Sequence, residues 1–216
     1  MISKNLKKRT LTSIVLIFII FLIFYFKPLL ALFLIIVGNF SIIEFSNITK
    51  KIFKKNLFNF VFNIIFIVYI FLFGLLFFLL CNFFQTKLIL FSFLFCCVAS
   101  DIGGYVFGKI LKGPKLTKIS PKKTISGSIG SIIFSSLTLS SFFFFFLENS
   151  VFKFFLIGLI ISIGCQFGDI LFSYLKRKAK LKDTGNFLPG HGGFLDRIDG
   201  ILLGVPVGFG ALKILF

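Results

Sequence analysis

The stretch LFNFVFNIIFIVYIFLFGLLFFLLC, from Leu57 to Cys81, runs for 25 residues without a charge. As a helix it would reach about 37 Å, more than the ~30 Å of hydrocarbon in a bilayer. A helix that is apolar on every side suits lipid, so the segment is read as a membrane span, with excess length for a tilt, a break or an extra crossing. Working outward, six further windows have the same character, at about 10–26, 28–46, 88–108, 126–147, 151–172 and 197–216. The expected fold is all-α: a polytopic transmembrane helical bundle of about seven spans, forming one membrane-embedded domain over residues 1–216. Composition agrees, because 57% hydrophobic and 14% charged residues, with a mean hydropathy of +1.06, exceed what one soluble core needs.

The 37 Phe, with four Tyr and no Trp, read as lipid-facing and interhelical packing rather than ligand stacking, and the run Phe142–Phe146 shares that bias. Cys81, Cys96, Cys97 and Cys165 lie in apolar runs without metal-ligand spacing and are expected to be buried small hydrophobes. The first window follows Lys4, Lys7, Lys8 and Arg9 like a signal peptide. No small-residue cleavage site follows it, and Lys27-Pro28 leads directly into another span, so a retained anchor is expected.

Lysine and arginine accumulate in cytoplasmic loops, which allows the topology to be tested. With the N-terminus cytoplasmic, every basic residue except Lys27, Lys87, Lys153 and Lys213 falls on the cytoplasmic side. The acids follow: Glu44, Asp101, Asp169, Asp183, Asp196 and Asp199 map to that face, leaving only Glu148 outside. The net charge of +17 therefore points to anionic lipid headgroups and phosphate ligands, since no soluble basic domain exists to bind nucleic acid. A charged side chain costs about 2.5–3.5 kcal/mol at the centre of a span and less near its end, so acids at span ends need water, a cation partner or a metal. For Glu44 or Asp183 taken singly, a salt bridge to one of the many lysines is the expectation.

Two segments on this face carry chemistry, at about 166–200 and 101–127. In the first, Asp169, Ser173 and Arg177 recur every four residues and would share a helix face, as would Asp196 and Asp199 three apart. Carboxylates with a single histidine, His191, suit a hard cation such as Mg²⁺, which takes one or two carboxylates and completes its shell with phosphates and water. Gly190, Gly192 and Gly193 would let backbone approach an anion, with the free N–H groups of the following helix start aimed at it. Lys176, Arg177 and Lys182 would offset phosphate charge. In the second segment Asp101 lies about two turns before the end of its span, and Ser120-Pro121-Lys122-Lys123-Thr124 suits triphosphate contacts or an ordinary positive loop.

The run from Ser173 to Asp199 resembles the motif of the phosphatidate cytidylyltransferases, also called CDP-diacylglycerol synthases. The pattern Ser-x-apolar-Lys-Arg, four residues, Lys-Asp-x-Gly, then Pro-x-His-Gly-Gly-apolar-x-Asp-Arg-apolar-Asp is filled at every fixed position. Asp101-x-Gly-x-Tyr105 and Ser120 to Thr124 are similar to two further family segments. The chain departs at Ile125-Ser126, where the family usually has Trp-Glu, and at Ile102, where a small polar residue is usual.

The resemblance implies transfer of a cytidylyl group from CTP to phosphatidic acid at the cytoplasmic face of a cell membrane. It implies Asp169 and Asp196 as metal ligands, with Asp199 and Asp101 near the metal. The cofactor would be one or two divalent cations, Mg²⁺ by preference, with room for a monovalent cation. Lys176 and Arg177 would join the acids in catalysis. Substrate contacts would come from Ser120, Lys122, Lys123, Ser173, Lys182, Asp183, His191, Gly192, Gly193 and Arg197, with Asp101 beside them. Membrane lipids are further partners and a homodimer is compatible. A CTP-dependent lipid kinase is the related alternative. A transporter is the distant one, disfavoured because the charges gather at one interface rather than at the midplane.

Overall fold

The computed structural model describes residues 15, 18–19, 21–53, 56–121, 123–144, 150–185, 187 and 192–216. The window at 10–26 falls largely outside them, as do the basic residues at 4–9 and 54–55, Glu148, Lys122 and residues 188–191, His191 included. Six described helices are long and apolar enough to cross a membrane. They are α1 (Lys27–Ile52), α2 (Asn56–Leu80), α3 (Phe84–Ile110), α4 (Ile125–Phe144), α5 (Val151–Lys178) and α6 (Leu195–Leu215). Among the described residues there is no strand, only isolated bridging such as that between Lys115 and Thr124. The protein is a polytopic transmembrane helical bundle.

The helices match the hydropathic windows, and α1, α3 and α5 overrun theirs. Pro28 starts α1 where its missing N–H costs nothing, and Lys50 and Lys51 end it where cations meet the helix dipole. Beyond its apolar window, α5 continues through Lys176, Arg177 and Lys178. Hydropathy marks the lipid-contacting length, whereas a helix ends where its backbone bonding ends.

The chain forms two compact units, residues 1–82 with 175–198, and residues 83–174 with 199–216. In unit 1, α1 and α2 pack antiparallel, with the Phe45 and Phe66 rings stacked 3.9 Å apart. Most of α2 faces outward, Phe60 and Phe71 being 63% and 67% exposed, as a lipid-facing helix requires.

Unit 2 is held by small residues. Without a hydrophobic force between helices in lipid, backbones must come close enough for dispersion and hydrogen bonding. On α3 and α4, Gly103, Gly104 and Gly108 meet Gly127, Gly130 and Ser131, and a Cβ on Gly103 would lie 2.6 Å from the Gly130 carbonyl oxygen. Gly158 of α5 sits on the backbone of Ser135 and Ser136, and Gly164 lies against Gly204 of α6. Interhelical hydrogen bonds follow from this proximity: Ser100 and Ser162 hydroxyls are 2.8 Å apart, and Ser131 donates to the Ser100 carbonyl at 2.7 Å. The four cysteines are free and buried, as expected.

A methyl group at Gly103 should therefore force α3 from α4 and cost about 1–3 kcal/mol, seen as a lower melting temperature in detergent. Gly74→Phe, on a glycine whose Cβ would meet nothing within 4 Å, should melt with the wild type.

Candidate active site

Among the described residues, each unit contains a cluster of candidate polar residues. In unit 1 it is built around the loop that leads into α6. Glu44 is fully buried in α1, and its carboxylate accepts three hydrogen bonds. Thr184 Oγ1 donates at 2.7 Å, Phe194 N at 3.0 Å and Leu195 N at 2.9 Å. None of these is a cation, so the expected salt bridge for Glu44 is replaced by a helix cap. The first N–H groups of a helix have no partner within it, and a carboxylate there satisfies them and meets the positive end of the dipole. The anion at this helix start is thus supplied by the protein itself for the N–H groups of Phe194 and Leu195.

Asp196, in the first turn of α6, holds the same loop from its other side. Its Oδ2 accepts from Thr184 N at 2.8 Å and Gly193 N at 3.3 Å, while Oδ1 pairs with Lys176 Nζ at 2.6 Å. Lys176 and Asp196 side chains are only 11% and 9% exposed. Thr184 therefore serves two carboxylates at once, its hydroxyl on Glu44 and its N–H on Asp196. Gly193 has to be glycine, because a Cβ there would collide with Thr184 Oγ1 and lie 2.5 Å from Glu44 Oε2. Gly192 takes φ +86°, a conformation that favours glycine.

In unit 2 a cavity of about 250 Å³ opens among α3, α4, α5 and the 111–124 connection. Asp101, Tyr105, Ser120, Lys123, Thr124, Ser128, Gln166 and Asp169 line it. Lys123 Nζ pairs with Asp169 Oδ2 at 2.5 Å, with side chains 30% and 20% exposed. Gln166 ties the cavity floor: its Nε2 donates to the Ser128 carbonyl at 3.2 Å and to Ser162 Oγ at 3.3 Å, and Ser128 Oγ donates to its Oε1. The connection is shaped by Lys112 at φ 51° and Gly113 at φ 114° and closed by Leu116 N donating to the Lys123 carbonyl at 2.8 Å.

The sequence-expected residues thus separate into two groups. Asp101, Ser120, Lys123 and Asp169 meet at the cavity of unit 2. Lys176, Asp196, Gly193 and Gly192 meet at the loop of unit 1. Ser173 is half-buried on α5, one turn beyond Asp169, and Asp199 is half-buried on α6, in the unit-2 portion, where its carbonyl oxygen crowds Gly168. Arg177 is exposed and donates to the Leu181 carbonyl at 3.0 Å, and Lys182, Asp183 and Arg197 are exposed. Sequence reasoning passes over Glu44, Thr184 and Gln166 as site residues. The usable signal is burial cost: a carboxylate and an amide inside membrane spans need dedicated partners.

The family model for the cytidylyltransferase family matches residues 39–215, which contain both clusters. The chain is 38% identical over 217 residues to a phosphatidate cytidylyltransferase of Rickettsia felis, covering 96% of this chain and 92% of that one. The chain belongs to the phosphatidate cytidylyltransferase family. A phosphatidate cytidylyltransferase of Rickettsia typhi is 35% identical over 218 residues, again covering 96% and 92% of the two chains. One from Helicobacter pylori is 40% identical over 107 residues, covering 50% of this chain and 40% of that one. The protein is accordingly an enzyme, a nucleotidyltransferase of this family.

If Glu44 holds the loop, Glu44→Gln should loosen it, because the amide nitrogen would face N–H donors and leave one of them unpaired. Leaving a buried donor unpaired costs about 1–3 kcal/mol. The expected outcome is faster proteolysis between Lys178 and Leu195 and a lower melting temperature; unchanged protection would contradict the capping role.

Proposed function

We propose that the protein transfers the cytidylyl group of CTP to phosphatidate, releasing pyrophosphate and forming CDP-diacylglycerol for phospholipid synthesis. The observation that supports this reading best is the polar cavity of unit 2, a small pocket with the Lys123–Asp169 pair among otherwise apolar helices. The reaction needs no side-chain nucleophile. A phosphate oxygen of the lipid attacks the α-phosphorus of CTP, the bond to the bridging oxygen of the β-phosphate breaks, and pyrophosphate leaves with that electron pair. The catalyst's task is to bring two polyanions together in line.

This chain's own groups suit that task. Lys123 and Lys176 are cations held in fixed positions by Asp169 and Asp196, and the hydroxyls of Ser120 and Thr124 face the cavity. Lys122, Arg177, Lys182 and Arg197 would add charge for the triphosphate. Ser173, Asp183, His191, Gly192 and Gly193 are assigned to substrate by their motif positions. Asp199 and Asp101 would support the metal-bearing carboxylates.

Mg²⁺ fits the donor chemistry. Among the described residues no three acids, cysteines or imidazoles form a metal-binding group. One or two carboxylates with substrate phosphates are what Mg²⁺ commonly uses. Asp169 offers a partly open carboxylate beside hydroxyl oxygens, and Asp196 offers Oδ1, the oxygen that Lys176 now holds. One or two divalent ions, with a monovalent cation beside them, would neutralise phosphate charge when bound. The site is assigned to the cytoplasmic face by the distribution of lysine and arginine.

In membranes supplied with Mg²⁺ and CTP, pyrophosphate release should depend on added phosphatidate. Asp169→Asn and Asp196→Asn should each lower it by about 10²-fold or more while leaving the protein in the membrane. Phosphatidate-independent release, or full activity in both variants, would overturn the assignment. A single reactive cysteine placed at the exposed Lys118 should be labelled by a membrane-impermeant maleimide in inside-out vesicles and spared in right-side-out ones.

A further inference from the structure

Between α1 and α2, within unit 1, lies a seam made of two chemically different parts. Over most of its length it is an apolar groove of about 440 Å³, bordered by Ile35, Gly38 and Ile42 of α1 and by Ile67, Phe71 and Gly74 of α2. One turn further toward the C-terminal end of α1, Ser46, Asn59 and Asn63 line a separate open pocket of about 540 Å³. The two parts share one stripe, because Ile35, Gly38, Ile42 and Ser46 follow at three- and four-residue steps, as do Asn63, Ile67, Phe71 and Gly74. Asn63 is already fixed at the polar end, its Nδ2 donating to Thr49 Oγ1 and Asn59 Oδ1, both at 2.9 Å. Lys50 and Lys51, exposed in the last turn of α1, add two positive charges there.

The glycines keep the groove open. A Cβ on Gly74 would meet nothing within 4 Å, and one on Gly38 would touch only Ile70 Cγ2, at 3.3 Å. From Ile42 back to Ala31 the groove runs ~16 Å along α1, about half of the ~30 Å hydrocarbon core, which is the depth one acyl chain spans within its leaflet. Cations, then hydrogen-bonding side chains, then an apolar groove is the order of chemistry in a diacyl phospholipid: phosphate, ester oxygens, hydrocarbon.

We propose that the α1–α2 seam seats one molecule of phosphatidate, with an acyl chain in the groove, its ester oxygens at Ser46, Asn59 and Asn63, and its phosphate monoester at Lys50 and Lys51. This rests on the reading that phosphatidate is the cytidylyl acceptor and assigns that substrate its docking surface.

The test uses the full-length protein in lipid nanodiscs with phosphatidate carrying a photoactivatable diazirine midway along one acyl chain. Adducts located by mass spectrometry should concentrate on residues 31–42 and 67–78. Gly74→Phe should reduce them and raise the KM for long-chain phosphatidate about tenfold, while the KM for CTP and the melting temperature stay at wild-type values. Asn63→Leu should raise the same KM from the polar end. Adducts spread evenly over the outward faces of α3 and α4, an unchanged phosphatidate KM in Gly74→Phe, or equal labelling by a phosphatidylcholine probe would each overturn the proposal. So would a dimer that Gly74→Phe dissociates, which would give the seam to a second copy. Labelling requires no turnover, so the two readings fail separately. Adducts in the seam without CDP-diacylglycerol formation would refute the acceptor reading, and turnover with adducts elsewhere would refute the seam alone.

Discussion

Glu44 is the contact on which the loop leading into α6 depends in unit 1. A carboxylate buried in a membrane span is unfavourable alone, and so are the unpaired N–H groups at the start of α6; each supplies what the other lacks. Three donors on one carboxylate fix Thr184 and the entry to the helix, and Thr184 in turn donates its N–H to Asp196. With Lys176 on the remaining oxygen, Asp196 has both oxygens engaged and one orientation. The acid at the heart of the family motif is thus oriented by an acid far outside it.

A parallel economy governs unit 2. Small residues let α3, α4 and α5 come close, and closeness brings serine hydroxyls and Gln166 within hydrogen-bonding reach of neighbouring helices. The same polar chain forms the floor of the cavity that carries the Lys123–Asp169 pair. In both clusters a lysine sits on an acid that the family resemblance implies as a metal ligand.

Much of this is legible in the amino-acid sequence. The spans are, because a run such as Leu57–Cys81 has no soluble explanation, and α2 coincides with it to within a residue at each end. Asp101 and Asp169 are legible as candidates because acids near span ends are costly unless used, and Ser120 and Lys123 because a short, basic, hydroxyl-bearing loop suits phosphate. The role of Glu44 is not. Its partners lie about 140 to 150 residues away in sequence, and local spacing does not encode so distant a pairing. Its donors are backbone N–H groups, so residue types near it give no hint either, and the abundance of lysine favours an ion pair instead. The glycines before α6 have the spacing of a ligand cradle; Gly193 in fact makes room for Thr184 and Glu44.

The proposed reaction requires attack at the α-phosphorus of the nucleotide. The most direct measurement follows the label when purified protein in liposomes receives phosphatidate, Mg²⁺ and CTP labelled at either the α- or the γ-phosphorus. Cytidylyl transfer places α-label in the lipid product and γ-label in pyrophosphate. Label from the γ-phosphorus in lipid, with release of CDP, would contradict it and make the protein a lipid kinase.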